Sequence, residues 1–305
     1  YFNGGAYPIG GSSRIFETIA PVIEDGGGQI VTSARVSSIS VRNRRAVGVE
    51  MSDGRMIEAN NIVSGAGITI TASQLLSRED ASLAGFSMIV DHTRPSASHL
   101  CLYLGFKGTP TELNLPRANW WYYPDTYDHD ASVAKFLSDP SADLPVTYVS
   151  FPAAKDPSWR ERYPDRSTVE VITLAPYEQF LPWSGTRWQK RGDDYQRLKD
   201  IWTERLLSNL YYLEPQLEGQ LDFHELSTPL STKHFSAYER GEIYGLDHTP
   251  ERFGLRSLRP KTGLKGLFLT GQDISTAGVG GAMMGGLICA SAMTGKRFAE
   301  DVMNV

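Results

Sequence analysis

Cysteine is almost missing from this chain of 305 residues. The two present, Cys101 and Cys289, lie in apolar settings, which excludes a disulfide framework and points to a reducing compartment or to indifference to redox state. Surplus positive charge is missing as well: 30 Lys and Arg against 35 Asp and Glu leave a net charge of −5. With no basic stripe to displace counterions, the composition argues against a nucleic-acid partner. The opening Tyr1-Phe2-Asn3-Gly4-Gly5 has no Met, no charged lead and no apolar run, so no signal peptide is visible. The expected setting is intracellular, cytoplasmic or peripheral to a membrane. The histidines show no paired ligand spacing, and no metal site is expected. A Gly-x-Ser-x-Gly elbow is absent, which disfavours an α/β-hydrolase, and Gly295-Lys296 lacks the rest of a P-loop. Nor does any stretch match well the Gly-x-Gly-x-x-Gly turn of a dinucleotide fold.

Glycine, by contrast, is plentiful, with 29 residues gathered near the start and the end of the chain. Pro8-Ile9-Gly10-Gly11-Ser12-Ser13 reads as a glycine turn ending in a helix-capping serine. Phe16, Ile19, Ala20 and Ile23 then recur at the spacing of one buried helix face, with Pro21 expected to kink it and Gly26-Gly27-Gly28 to stop it. Alternating apolar residues from Val36 to Met51, the Asp53-Gly54 turn signal and Ile62-Val63-Ser64 predict a β-meander and a returning strand. Helix, meander and returning strand make the later half of a nucleotide-binding α/β domain. The first half is not there, so the chain reads as the C-terminal portion of a longer protein.

Residues 68–235 are richer in aromatics and prolines, and strand-like runs at 146–151 and 168–174 alternate with helical patterns such as Tyr195–Leu213. An antiparallel sheet capped by helices is the expected architecture. The aromatics around Trp120 read either as core or as the lining of an apolar tunnel. Residues 236–305 return to the first domain. From Ile274 to Gly295 no residue is charged, and Gly281-Ala282-Met283-Met284-Gly285 has the Gly-x-x-x-Gly form of packed membrane helices. Gly, Ser and Thr at almost every other position make the segment too weakly apolar to insert well. A glycine-rich turn opening a buried helix, lasting to about Ala299, fits better.

That turn is the most informative stretch. The strand Gly266–Gly271 leads to Gln272-Asp273 and then to a helix start with glycines at 278, 280 and 281. Gly271 permits close backbone approach to a ligand, Asp273 can accept from a sugar-like hydroxyl, and Gly280 to Met283 present backbone N–H groups at the positive end of a helix. On the residues alone, a tight turn whose Asp caps the next helix explains the pattern equally well.

A resemblance goes further. The chain resembles the FAD-dependent phytoene desaturase, carotenoid isomerase and retinol saturase family over nearly all its length. The shared stretches include Tyr7-Pro8-Ile9-Gly10-Gly11-Ser12, Phe151-Pro152-Ala153-Ala154-Lys155-Asp156-Pro157-Ser158-Trp159, Gly241-Glu242-Ile243-Tyr244-Gly245-Leu246-Asp247-His248 and Leu269-Thr270-Gly271-Gln272-Asp273. The resemblance implies an α/β flavoprotein. Its Rossmann-like FAD domain, incomplete here (1–67 and 236–305), is interleaved with an α+β substrate domain (68–235) of antiparallel sheet and helices. It implies hydride transfer between flavin and carbon on a long apolar polyene or isoprenoid, whether saturating, desaturating or isomerising. Carried over by position, the backbone of Val36 would meet the adenine region and Gly271 and Asp273 the ribityl or pyrophosphate-side oxygens. Gly278, Val279, Gly280, Gly281, Ala282 and Met283 would lie along the flavin, and Gly10 and Gly11 would flank the flavin and the substrate channel. Tyr244 and His248, in a family-like stretch near the expected flavin face, are candidate proton donors.

Two rivals stand beside this reading: a flavin-free isoprenoid-binding protein on the same fold, like the Rab GDP-dissociation inhibitors, and an amine oxidase. A polyene is nearly insoluble in water, so peripheral membrane contact is expected, with Leu75, Leu76, Phe86, Met88 and Ile89 offered as the apolar patch. No residue pattern identifies the electron partner.

Overall fold

A helix and a β-meander follow the opening glycines. In the computed structural model, which describes residues 5–124, 126–296 and 298, helix α1 (Ser13–Asp25) precedes strands β1 (Val36–Arg42), β2 (Arg45–Met51) and β3 (Met56–Glu58), paired antiparallel in that order. Gly54, at φ 86°, makes the turn between β2 and β3. Next come β4 (Ile62–Ser64), β5 (His99–Lys107), β6 (Trp120–Tyr122), β7 (Thr147–Ser150) and β8 (Arg166–Leu174). Helix α2 (Asp193–Leu213), β9 (Leu221–Ser227), β10 (Leu267–Leu269) and helix α3 (Gly278–Thr294) complete the main elements.

The chain divides into two compact units, one of residues 1–30 and 98–236, the other of residues 31–97 and 237–305. The first is built on a five-stranded antiparallel sheet ordered β6-β7-β8-β5-β9. Period-two alternation turns Leu100, Leu102, Leu104 and Phe106 of β5 to one face, into a core shared with Trp202 and Leu206 of α2. Each such side chain contributes roughly 1.5–3 kcal/mol by leaving water. The other face of the sheet carries Tyr103 of β5 opposite Glu170 of β8, and Glu170 in turn opposite Ser150 of β7. Trp120 and Trp121 lie on the edge strand β6, 42% and 61% exposed, so neither is core.

Helix α1 forms where expected, with Pro21 inside it, but none of its residues is buried and Phe16 is 57% exposed. Ser12 stands at its N-cap without a side-chain cap bond. Periodicity identifies which side of a helix is apolar; it says nothing about what covers that side.

The second unit holds the meander and a parallel pair, β10 beside β4. Ile39, Ile68, Phe86, Ile89, Leu267 and Leu269 share its core. That core claims residues 68–97, which the sequence reading assigned to the substrate part, while residues 1–30 group with the sheet unit instead. Of the five residues offered as an apolar patch for membrane contact it takes Leu76, Phe86 and Ile89, which are 9%, 1% and 2% exposed, with Leu75 packed partly buried against them, while Met88 is 55% exposed. Among the described residues, no helix is long and apolar enough to cross a membrane. Helix α3 stops at Thr294, where Gly295 turns left-handed at φ 74° and its N–H bonds back to the Ser291 carbonyl. The expected end at Ala299 lies outside the described residues.

Candidate functional site

The glycine turn after β10 is tightly built. Gly271 adopts φ 91°, ψ −165°, a conformation that only glycine reaches without strain. One short turn, Gln272–Ile274, leads to α3, whose first residue, Gly278, is also at positive φ, 83°. Helix and turn then touch backbone to backbone. A Cβ on Gly285 would sit 2.2 Å from the Gly271 carbonyl oxygen, and one on Gly281 would sit 1.8 Å from that of Thr276. The Gly-x-x-x-Gly pattern thus serves close approach within the chain, and Gly281 lies on the packed side of the helix.

The other side of α3 is open and apolar. Val279 and Met283 are 54% and 61% exposed, and Gly278 and Ala282 are exposed with them; Gly280 is half-buried. Ala277 at the N-cap supplies no side-chain cap, so its side chain leaves unsatisfied the first-turn N–H groups, which an α-helix cannot satisfy internally and which carry the positive end of the helix dipole. Such an end, flanked by an apolar surface, suits an electron-rich oxygen on a flat aromatic group.

Asp273 has a different role from the one expected. It is 3% exposed, and its two carboxylate oxygens accept backbone N–H groups, Oδ2 from Ile68 at 2.8 Å and Oδ1 from Leu246 at 2.9 Å. A carboxylate so placed ties three distant chain segments together and is not offered to a ligand hydroxyl. Gly245, at φ 62°, leaves it room: a Cβ there would collide with Oδ1.

Arg252, which the sequence reading did not single out, is the second buried anchor, 1% exposed. Its Nη1 donates to the Leu246 carbonyl at 3.0 Å, and its Nη2 to the carbonyls of Gln272 and Asp273 at 2.9 and 3.1 Å. The available signal was Thr249-Pro250-Glu251-Arg252, a capped helix start in which Thr249 Oγ1 accepts the Arg252 N–H. His248 stands beside it. Its Nε2 accepts the Ala277 N–H at 2.7 Å, and its Nδ1 lies 3.1 Å from Arg252 Nη1. Burial, and then the Arg252 charge, hold His248 below the ordinary histidine value. It is a neutral acceptor at the start of α3, which is a poor position for a proton donor. Tyr244 is 44% exposed, its ring 6.4 Å from that of His248 and its N–H on Ser96 Oγ.

The structure thus brings Gly271, Asp273, Gly278 to Met283, Tyr244 and His248 into one network. Val36 opens β1 of the same unit, opposite Met51. Gly10 and Gly11, at φ 93° and 87°, belong to the other unit, where the Gly10 N–H donates to Asp156 Oδ1 at 3.1 Å.

In fold, the chain matches a crystal structure of an oxidoreductase from Methanosarcina mazei with a TM-score of 0.54 at 16% identity, covering 94% of this chain and 55% of that one. It matches a putrescine oxidase structure with a TM-score of 0.53 at 15% identity, covering 93% and 53%. The architecture is therefore the mixed α/β fold of this class of oxidoreductases. In sequence, the chain is 36% identical over 317 residues to the all-trans-retinol 13,14-reductase of Homo sapiens, across 100% of this chain and 52% of that protein. It is 27% identical over 296 residues to the chloroplastic prolycopene isomerase of Daucus carota, across 95% of this chain and 44% of that protein. Over nearly all of its own length the chain is thus similar in sequence to these reductases and, more distantly, to these isomerases. It spans about half the length of the curated relatives it matches. No family model matches it.

Proposed function

We propose that this chain carries part of an FAD-dependent oxidoreductase that acts on the C=C or C–C bonds of an apolar polyene or isoprenoid, reducing, desaturating or isomerising it. The observation that carries the reading is the start of α3: a helix end whose N-cap, Ala277, supplies no side-chain cap, reached by a turn that opens on Gly271 and closes on Gly278, both at positive φ, and bordered by exposed Val279, Ala282 and Met283. Flavin is the occupant whose chemistry this suits, an apolar tricycle with a carbonyl on which negative charge gathers at reduction. In this reading residues 31–97 and 237–305 form the flavin-binding part, incomplete for want of a phosphate-binding turn, and residues 98–236 the substrate part. Backbone N–H groups of Gly278 to Gly280 take the electron-rich edge, Val279 and Met283 pack on the ring face, the Val36 backbone meets the adenine, and Gly10 and Gly11 border flavin and substrate. Gly271, Gly281 and Asp273 support that surface from behind. When bound, FAD supplies hydride chemistry on carbon; the chain supplies the surface that orients it.

Relatives named as a reductase and an isomerase support the enzyme reading over a flavin-free carrier. The test is anaerobic photoreduction of the purified full-length protein, followed by candidate retinoids and carotenoids. A yellow protein whose bleached flavin recovers with one of them is the expected result; a colourless protein that binds polyenes returns the carrier reading.

A further inference from the structure

His248 and Arg252 leave one capped turn four residues apart, and together they hold the stretch that leads into α3. Arg252 Nη2 donates to the carbonyls of Gln272, Asp273 and Ser275, at 2.9, 3.1 and 3.3 Å. Two residues on, the direction reverses: the Ala277 N–H donates to His248 Nε2 at 2.7 Å. A guanidinium has donors only, whereas an imidazole nitrogen can accept. The two side chains therefore divide the backbone, one taking its carbonyls and the other its last amide before the helix. All of these residues lie in the unit that contains α3. Ala277 is the N-cap of α3 and supplies no side-chain cap, so His248 fixes the peptide from which the N–H groups of Gly278, Val279 and Gly280 follow.

The contact fixes the state of the ring as well. With Nε2 accepting, the proton of a neutral imidazole sits on Nδ1, on the side of Arg252 Nη1, 3.1 Å away. A second proton would set an N–H against the Ala277 N–H and a positive charge beside the guanidinium. Burial and Arg252 oppose that proton, while the carboxylates of Asp247 and Asp273 and a hydrogen bond to the Leu246 backbone favour it. Asp247 is itself paired with Arg94 at 2.6 Å, and the rings of Tyr244 and Phe253 stand edge-on 6.4 and 5.7 Å away. Helix α3 brings no charged side chain to the ring.

We propose that His248, as a neutral acceptor, is the positioning residue that sets the start of α3 for the flavin. This rests on the flavin reading above. His248 touches no reacting atom; it acts through the Ala277 amide, with Arg252 holding the carbonyls of the same turn. The N–H groups that follow meet the electron-rich edge, where negative charge gathers on reduction. A displaced turn therefore costs the reduced flavin more than the oxidised one. Acid removes the acceptor, so affinity falls as pH drops through a value below the ordinary 6.5 of histidine.

His248→Gln, His248→Phe and Asp247→Asn in the full-length protein test it. The readouts are FAD affinity of the apoprotein from about pH 8 to about pH 5, the flavin midpoint potential, and hydrogen-exchange protection of the Ala277 amide, with circular dichroism as folding control. Parent affinity should fall about tenfold over that range, and protection at Ala277 should fall with it. His248→Gln, an acceptor that does not titrate, should keep parental affinity within about threefold and hold it level to acid. His248→Phe should bind FAD about tenfold more weakly at every pH. It should lose a further factor of about ten for the reduced form, which lowers the midpoint by about 30 mV for a two-electron couple. Asp247→Asn should move the acid limb to lower pH, because the Asp247 charge favours the protonated ring. Parent affinity that is level across the range, an acid limb that persists in His248→Gln, or a His248→Phe protein that melts earlier with unchanged affinity and potential overturns the proposal; the last would leave His248 a structural cap alone. A parent apoprotein that takes up no FAD at any pH, with Ala277 protection still dependent on His248, overturns instead the reading beneath it.

Discussion

The Asp273 carboxylate accepts the Ile68 backbone N–H at 2.8 Å, although 205 positions separate the two residues. With Leu246 on its other oxygen, Asp273 closes a junction that no local rule creates. Asp273→Ala leaves two buried amides without acceptors, at a cost of about 1–3 kcal/mol each. The expected result is a loss of roughly 2–6 kcal/mol in urea unfolding, with about half of it for Asp273→Asn, which keeps one acceptor oxygen. Normal stability with selective flavin loss would restore the ligand-binding role that the residue pattern first suggested.

The two neighbouring glycines of α3 should behave oppositely. Gly285→Ala drives a Cβ to 2.2 Å from the Gly271 oxygen, whereas the nearest atom to a Cβ on Gly286, Thr270 Oγ1, is 4.0 Å away. The first substitution should lower stability by about 3 kcal/mol or more. The second should be neutral or gain up to about 1 kcal/mol from helix propensity. Thermal melts followed by circular dichroism separate them.

Acid should weaken the sheet unit through His99. Its Nδ1 is buried without a partner among the described residues, and burial lowers its pKa to about 4. The unfolded chain therefore binds a proton near pH 6.5 that the folded chain refuses until about pH 4, so stability falls as pH drops through that window. The loss is at most about 3 kcal/mol. Urea midpoints at pH 7 and 4.5 should differ more for the parent than for His99→Leu; equal differences would acquit His99.

Met283, being 61% exposed, tests the flavin surface without disturbing the core. Met283→Asp should change stability by no more than about 0.5 kcal/mol. It should lower the flavin-to-protein absorbance ratio after desalting at least tenfold. An unchanged ratio would take this face of α3 out of the site.

Much of the local structure was legible in the chain because it depends on neighbours in sequence. Asp53-Gly54 makes a hairpin wherever it stands between alternating strands, and the strand-like run at 168–174 makes a half-buried strand. The glycines around 271–285 announced a close approach, since only glycine allows one. What they approach was not written there. Periodicity marked an apolar face on α1 that nothing among the described residues buries, and marked 68–90 as apolar without telling core from surface. Asp273 and Arg252 bond to backbone groups of residues 68, 246, 272 and 273. A backbone amide has no sequence signature, and which one meets a buried charge is decided only when distant segments pack.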